Sequence, residues 1–183
     1  MSTSGGSLAC LLHRFSCRSF APTPLPSSVL ISALEHARAP SAGNLQAWQV
    51  VAVTTTSGRS ALAAACSQSW IKTSPCVLVF LADAATSAAQ YGERGASLFS
   101  VQDATLAAGY TALALDAQGV SSAWVGAFHE EEIGSLLGIP ADMRTIAIIP
   151  TGYAAEPPGP PTSRRPVAEL LHWERFKEQS KET

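Results

Sequence analysis

The order of elements in this sequence predicts mixed α and β structure, without the strict βαβ alternation of a parallel sheet. Three observations lead there. Short aliphatic and β-branched runs at 48–54, 76–82, 121–125 and 145–151 read as strands with buried character. Between them lie segments whose apolar residues recur at helical spacing, several of them rich in alanine. The chain has 183 residues, of which 46% are apolar and 14% charged, which suits one filled core and excludes a disordered chain.

The elements come in this order. Pro22, Pro24 and Pro26 force extended backbone. Ser27 or Ser28 then offers an N-cap to a helix carrying Val29, Leu30, Ala33, Leu34 and Ala37, which Pro40 ends near Arg38. A polar loop at 41–46 leads into the first strand, and 57–66 reads as an Ala-rich helix. Pro75 introduces the second strand. Residues 91–96, with Gly92 and Gly95, read as a polar connector, and 97–118 as one long helix closed by Gly119. Its small residues on all sides predict close packing and a central place. A short helix at 130–137 stops at Gly138 and Pro140, and a Pro/Gly-rich linker fills 156–161. The tail at 167–176 is expected to be helical or to wrap a partner. No internal repeat or domain boundary interrupts 1–183, so one domain is expected, with a core over about 13–176 and a tail over 162–183.

Composition narrows the function classes. The net charge of −2 does not suggest a nucleic-acid binder. Basic residues gather at Arg14 and Arg18, and again at Arg164 and Arg165, which suits one bound phosphate better than a polyanion. Cys10, Cys17, Cys66 and Cys76 include no C-x-x-C pair, and His13, His36, His129 and His172 include no i,i+4 pair, so no metal site is expected. Cys17 reads as an ordinary buried or half-buried thiol. No apolar span is long enough for a bilayer, and the first residues lack the pattern of a secretory signal, so a cytoplasmic setting is expected. G-x-G-x-x-G, Walker A and G-x-S-x-G motifs are all missing, and Asp103 has no evident partner carboxylate, which leaves a hydrolase without support.

Four segments remain as candidates. Arg14-Phe15-Ser16-Cys17-Arg18 offers two guanidinium forks and a hydroxyl, a set that matches phosphate oxygens, although an exposed basic face would look the same. The loop Pro40-Ser41-Ala42-Gly43-Asn44-Leu45-Gln46 can present amides to a planar heterocycle or can be a plain helix-to-strand loop. Trp124-Val125-Gly126-Ala127-Phe128 reads as a strand exit with free backbone N–H groups, or as a glycine needed for a turn. Ser163-Arg164-Arg165-Pro166 is a second phosphate ligand or a solvated tail.

Taken together the segments resemble the FMN-dependent nitroreductase family in its compact single-domain form. Arg14, Ser16 and Arg18 match its Arg-x-Ser-x-Arg/Lys motif, with Phe20 next in the pattern. Pro40, Ser41, Asn44, Gln46 and Trp48 match Pro-Ser-x-x-Asn-x-Gln-Pro-Trp. Residues 91–95 with Gln102 and Asp103 resemble the lead into its central helix, and 124–128 its W-[IV]-G-x-F segment. Pro150-Thr151-Gly152-Tyr153 and Arg164-Arg165-Pro166 with His172 match its last two motifs. The resemblance runs over residues 13–176, in order. Three positions depart from it: Ala47 replaces the second proline, Thr162 stands where a lysine is common, and Phe15 where a basic or polar residue is common. These imply a slightly looser loop, weaker phosphate binding and altered packing.

The resemblance implies an α+β fold with a mixed, mainly antiparallel sheet flanked by helices, in an intertwined homodimer. The long helix would form much of the interface, and the tail would reach across the partner. Two FMN sites would lie between the chains. Arg14 and Arg164 would hold the phosphate, Ser16 the phosphate or ribityl chain, and Arg18 would sit by N1 and O2 of the ring, with Phe15 alongside. Pro40, Ser41, Asn44 and Gln46 would meet the flavin from the partner chain. Gln68 would touch the ring edge, and the backbone of Gly126 or Ala127 would meet N5. No side chain need be catalytic, because the flavin carries the chemistry. NADH or NADPH would reduce it and a nitroaromatic or quinone would reoxidise it, in ping-pong order. The short stretch at 82–97 implies an open site without the long lid of a deiodinase. A flavin store or sensor without turnover is the alternative.

Overall fold

The computed structural model describes residues 11–12, 14–160 and 162–176. Four strands, β1 (Trp48–Val53), β2 (Cys76–Asp83), β3 (Ser121–Ser122) and β4 (Met143–Gly152), form one sheet in the order β1-β2-β4-β3. Every pairing between them is antiparallel, and the one parallel contact among the described residues is a bridge from Ser16 to Ser122. The expected mixed, mainly antiparallel sheet is therefore present.

Strand β2 is central and buried along almost its whole length. Its side chains alternate between two cores, as strand geometry requires. Val77, Val79 and Leu81 pack with Leu62, Ile71, Ile133 and Ile148 on one face. Cys76, Leu78 and Phe80 pack with Leu30, Ala107, Leu115 and Ile149 on the other. Phe80 has no exposed surface, and removing its ring would cost about 3–5 kcal/mol.

The helices are α1 (Ser27–His36), α2 (Thr56–Ala65), α3 (Ala84–Arg94), α4 (Ser100–Asp116) and α5 (Glu130–Leu137). α2 and α5 cover the first core, α1 and α4 the second. Alanines at 104, 107 and 108 let α4 lie close on the sheet, all fully buried. α2 is capped by Thr55, whose hydroxyl accepts from the Gly58 N–H. α5 ends at Gly138 in the left-handed conformation, as its glycine predicts.

Several expectations are corrected. Ser27 is the first helical residue of α1, and Pro26 takes the cap position without a side-chain bond. The connector expected at 91–96 belongs largely to α3, which Asp83 caps through the Thr86 N–H and which breaks only at Gly92, with φ 58° and ψ −147°. The long helix is correspondingly shorter: 95–99 is a π-helical turn, and regular α-helix begins at Ser100. The expected strand at 121–125 is regular only over Ser121–Ser122, with Val125 joined to Ile148 as an isolated bridge.

Candidate functional site

The segment from Arg14 to Ala21 runs extended along the sheet. The Cys17 N–H donates to the Ser122 carbonyl at 3.0 Å and the Ala21 N–H to the Tyr153 carbonyl at 2.8 Å, and the Ala155 N–H donates back to the Ser19 carbonyl at 2.9 Å. Extended backbone sends alternate side chains to opposite sides. About Cys17 the burial alternates, with Cys17 buried between exposed Ser16 and Arg18; the alternation ends at Ser19, which is exposed, and Phe20, which is buried. Ser16 and Arg18 are therefore exposed on either side of Cys17, and Arg14 is half-buried. Among the described residues, neither arginine has an ion pair or a hydrogen-bond partner. Burial raises the Cys17 thiol above its usual range, with a backbone hydrogen bond at Ser19 opposing, so the thiolate is not favoured.

Arg14 and Ser16 open onto a cavity of about 470 Å³. Its other walls include Ser122 at the end of β3, Ala123 and Trp124 after it, and Thr105, Leu106, Gly109, Tyr110 and Leu113 along α4. Just beyond, Val125 exchanges hydrogen bonds with Ile148 at 2.9 and 3.0 Å, and its burial fixes the strand exit. The next two residues, Gly126 and Ala127, are exposed, and their amides have no partner among the described residues. Gly126 does not have a positive φ, and a Cβ there would meet only Trp124, at an ordinary 3.6 Å. Neither a turn nor packing within the chain therefore demands glycine at 126.

The loop at 40–47 lies against a second cavity of about 570 Å³, lined by Pro40, Ser41 and Ala42 together with Phe99, Gln102, Asp103, Thr105 and Leu106. Thr105 and Leu106 belong to both cavities, so the two sit on neighbouring parts of one helix face. The loop is tightly wound: Gly43, Asn44 and Gln46 have φ of 55°, 58° and 51°. Ser41 Oγ accepts the Gln46 N–H at 3.0 Å, and the Gln46 side chain donates to the Asn44 carbonyl at 3.2 Å. A Cβ on Gly43 would collide with the Tyr91 hydroxyl, which explains that glycine. The Asn44 side-chain amide makes no bond to a described residue.

Sequence reasoning missed one residue here. Asp103, 3% exposed, accepts the Ala42 N–H at 2.9 Å and the Ala47 N–H at 3.4 Å. The available signal was a carboxylate inside an Ala-rich helix with no cation one turn away. The exposed stripe of α4 was also not singled out residue by residue.

The remaining expected positions lie elsewhere. Phe15 is half-buried and lines neither cavity. Gln68 also lines neither; its side-chain oxygen accepts the Trp70 indole N–H at 3.0 Å, and Trp70 stacks on Phe20 with ring centres 6.5 Å apart. Arg164 is bonded within its own tail, to Thr162 Oγ1 at 2.7 Å and the Ser163 carbonyl at 3.3 Å, and Arg165 pairs with Glu169 at 3.0 Å. Among the described residues no cluster of His, Cys, Asp or Glu could hold a metal ion, and no helix is long and apolar enough to cross a membrane.

Known proteins resemble this chain over most of its length. A model of the nitroreductase family matches residues 11–75 and 63–153. A protein of Thermus thermophilus described as NADH dehydrogenase is 32% identical over 191 aligned positions, covering 88% of this chain and 93% of that protein. A solved nitroreductase family protein from Streptococcus pneumoniae superposes with a TM-score of 0.83 at 23% identity, over 91% of this chain and 99% of that one. The NADPH:FMN oxidoreductase of Vibrio harveyi, solved with NAD+, gives 0.86 at 21%, over 96% of this chain and 80% of that one. The two structures bear on fold alone, whereas the family model and the Thermus relative bear on ancestry: the chain belongs to the nitroreductase family and is an oxidoreductase.

Proposed function

We propose that this chain is an FMN-dependent enzyme that moves hydride from NADH or NADPH to a small organic acceptor of the nitroaromatic or quinone type. It acts as a homodimer of one-domain chains. The observation that carries the reading is a set of uncommitted donors around one cavity. Arg14 and Ser16 stand at one wall, Arg18 is exposed two residues further along the same segment, and the amides of Gly126 and Ala127 lie just beyond another wall.

These residues fit FMN. Cavities of a few hundred Å³ suit a flavin-sized ligand, and this one measures about 470 Å³. Arg14 supplies a planar fork for the phosphate, Ser16 a hydroxyl for the phosphate or ribityl chain, and Arg18 a cation for the N1 and O2 edge. The amide of Gly126 or Ala127 serves as a donor toward N5, and the missing Cβ at 126 leaves room for a ring to approach. Pro40, Ser41, Asn44 and Gln46 supply polar loop contacts from the second chain, and Arg164 a further phosphate contact from the tail. Bound FMN supplies the hydride chemistry, which is why no acid–base pair is needed among the side chains. Donor and acceptor then use the same space in turn.

The purified protein is expected to show flavin absorption that bleaches anaerobically with NADH or NADPH and returns on adding menadione or a nitroarene. Arg14→Ala is expected to lower flavin occupancy. A colourless protein that takes up no added FMN would sink this reading. Flavin that binds but is reduced by neither nicotinamide would reassign the chain to flavin storage or sensing.

A further inference from the structure

We propose that Asp103 is a positioning residue for the cofactor-facing loop, clamping both of its ends and thereby setting the affinity for flavin. The proposal rests on the reading that the loop at 40–47 faces FMN. Asp103 belongs to α4, yet its acceptors are spent 61 and 56 residues away, on the N–H groups of Ala42 and Ala47. No basic side chain pairs with it among the described residues. A buried carboxylate without a cation is costly unless hydrogen bonds satisfy it, so the arrangement holds only while the loop keeps its shape.

That shape does not hold itself. Asn44 and Gln46 occupy the left-handed region that a Cβ disfavours, with φ of 58° and 51°. Such conformations persist only where the surroundings over-determine them. The bonds inside the loop, Asn44 N–H to the Ser41 carbonyl at 3.1 Å and Leu45 N–H to the Ala42 carbonyl at 3.0 Å, wind it without tying it to the body of the protein. Asp103 makes that tie at Ala42 and adds to it at Ala47, whose carbonyl also accepts the Asp83 N–H at 3.0 Å. Asp103 also lines the cavity beside Ser41 and Ala42.

Ala47 gives the clamp a further role. A proline would restrict the backbone at this position and would carry no N–H. Ala47 is fully buried and its N–H would be unsatisfied without a nearby acceptor. The second oxygen of Asp103 takes it. The carboxylate therefore supplies by hydrogen bonding a restraint that a ring would otherwise supply covalently.

The test uses the full chain, stripped of flavin and titrated with FMN by fluorescence quenching, as wild type and as Asp103→Asn. The amide keeps the size but turns a donor toward one of the two N–H groups. Affinity is expected to fall by about tenfold or more, the order set by one unmet buried donor. At saturating FMN, the circular dichroism of the flavin bands is expected to change, which loss of stability alone would not produce. Amide hydrogen exchange of the wild type gives an independent reading, with Ala42 and Ala47 expected to be protected. Wild-type FMN affinity with unchanged flavin dichroism in Asp103→Asn would overturn the proposal, as would free exchange at both amides in the wild type. If the wild type itself takes up no FMN, the functional reading fails, while the exchange measurement still decides whether the clamp exists.

Discussion

At the scale of single residues, burial governs the thiols. The Cys66 thiol is pushed up to about 11 by burial. Cys76 is pushed up to about 11 as well, by burial, with the nearby Arg59 charge opposing. Both start from an ordinary value of 9.0. Between these limits the folded chain binds more protons than the unfolded one, so stability falls as pH rises. The contribution is fully present below pH 9.0 and is lost toward pH 11. Melting temperature is expected to decline over that range, and to decline less in a Cys66→Ala, Cys76→Ala double variant, measured by circular dichroism. Equal slopes in the two proteins would mean that other groups set the alkaline limit. The same scale shows where reading a sequence stops. Arg14, Ser16 and Arg18 were legible because two guanidinium forks and a hydroxyl stand within five consecutive residues. Asp103 was not, because its two partners lie in a distant loop and are backbone groups, which leave no letter in the sequence.

At the scale of elements, apolar runs and end signals made β1, β2, β4 and α5 legible to within a few residues, because burial and capping act locally. The region at 91–99 was not legible. Its glycines read as a connector, whereas Gly92 breaks a helix and Gly95 lets the π-helical turn start close against α3. A Cβ on Gly95 would run into the Ser87 carbonyl. Two other glycines separate stability from function. Gly109 in α4 and Gly134 in α5 would each accept a Cβ with nothing within 4 Å. Alanine is favoured over glycine inside a helix by about 0.8–1.0 kcal/mol. Gly134→Ala and Gly109→Ala are both expected to raise the melting temperature of the flavin-free protein. Only Gly109→Ala should also weaken FMN binding, since only Gly109 lines the Arg14 cavity. Equal FMN affinities in the two variants would remove Gly109 from the site.

At the scale of the whole molecule, the described chain leaves apolar side chains uncovered, among other places, on α4 and in the tail. Leu106 and Tyr110 on α4 are 38% and 41% exposed, and in the tail Val167, Leu170, Leu171, Trp173 and Phe176 all stand out, with Trp173 at 77%. A 3-10 turn at Val167–Glu169 and the Arg165–Glu169 pair give the tail local shape, but exposed ion pairs of this kind contribute little. Burying the tail's large side chains would supply far more, since each is worth about 1.5–3 kcal/mol on leaving water. Such patches in a chain of this size mark an interaction surface, and a second copy of the chain is the partner the homodimer proposal names. Removing residues 162–183 is therefore expected to weaken the dimer and to release FMN together. Arg164→Ala, which deletes one cation and leaves the apolar tail, is expected to weaken FMN binding while the dimer persists. Sedimentation velocity beside flavin absorbance separates the two effects. A truncated protein that stays dimeric and keeps its flavin would show that the tail's exposed side chains are not interface. A dimer that survives while flavin is lost would confine the tail's part to the phosphate contact. Joint loss of both would mean that the tail builds the site by building the interface, and that the cavity beside Arg14 is complete only when two chains meet.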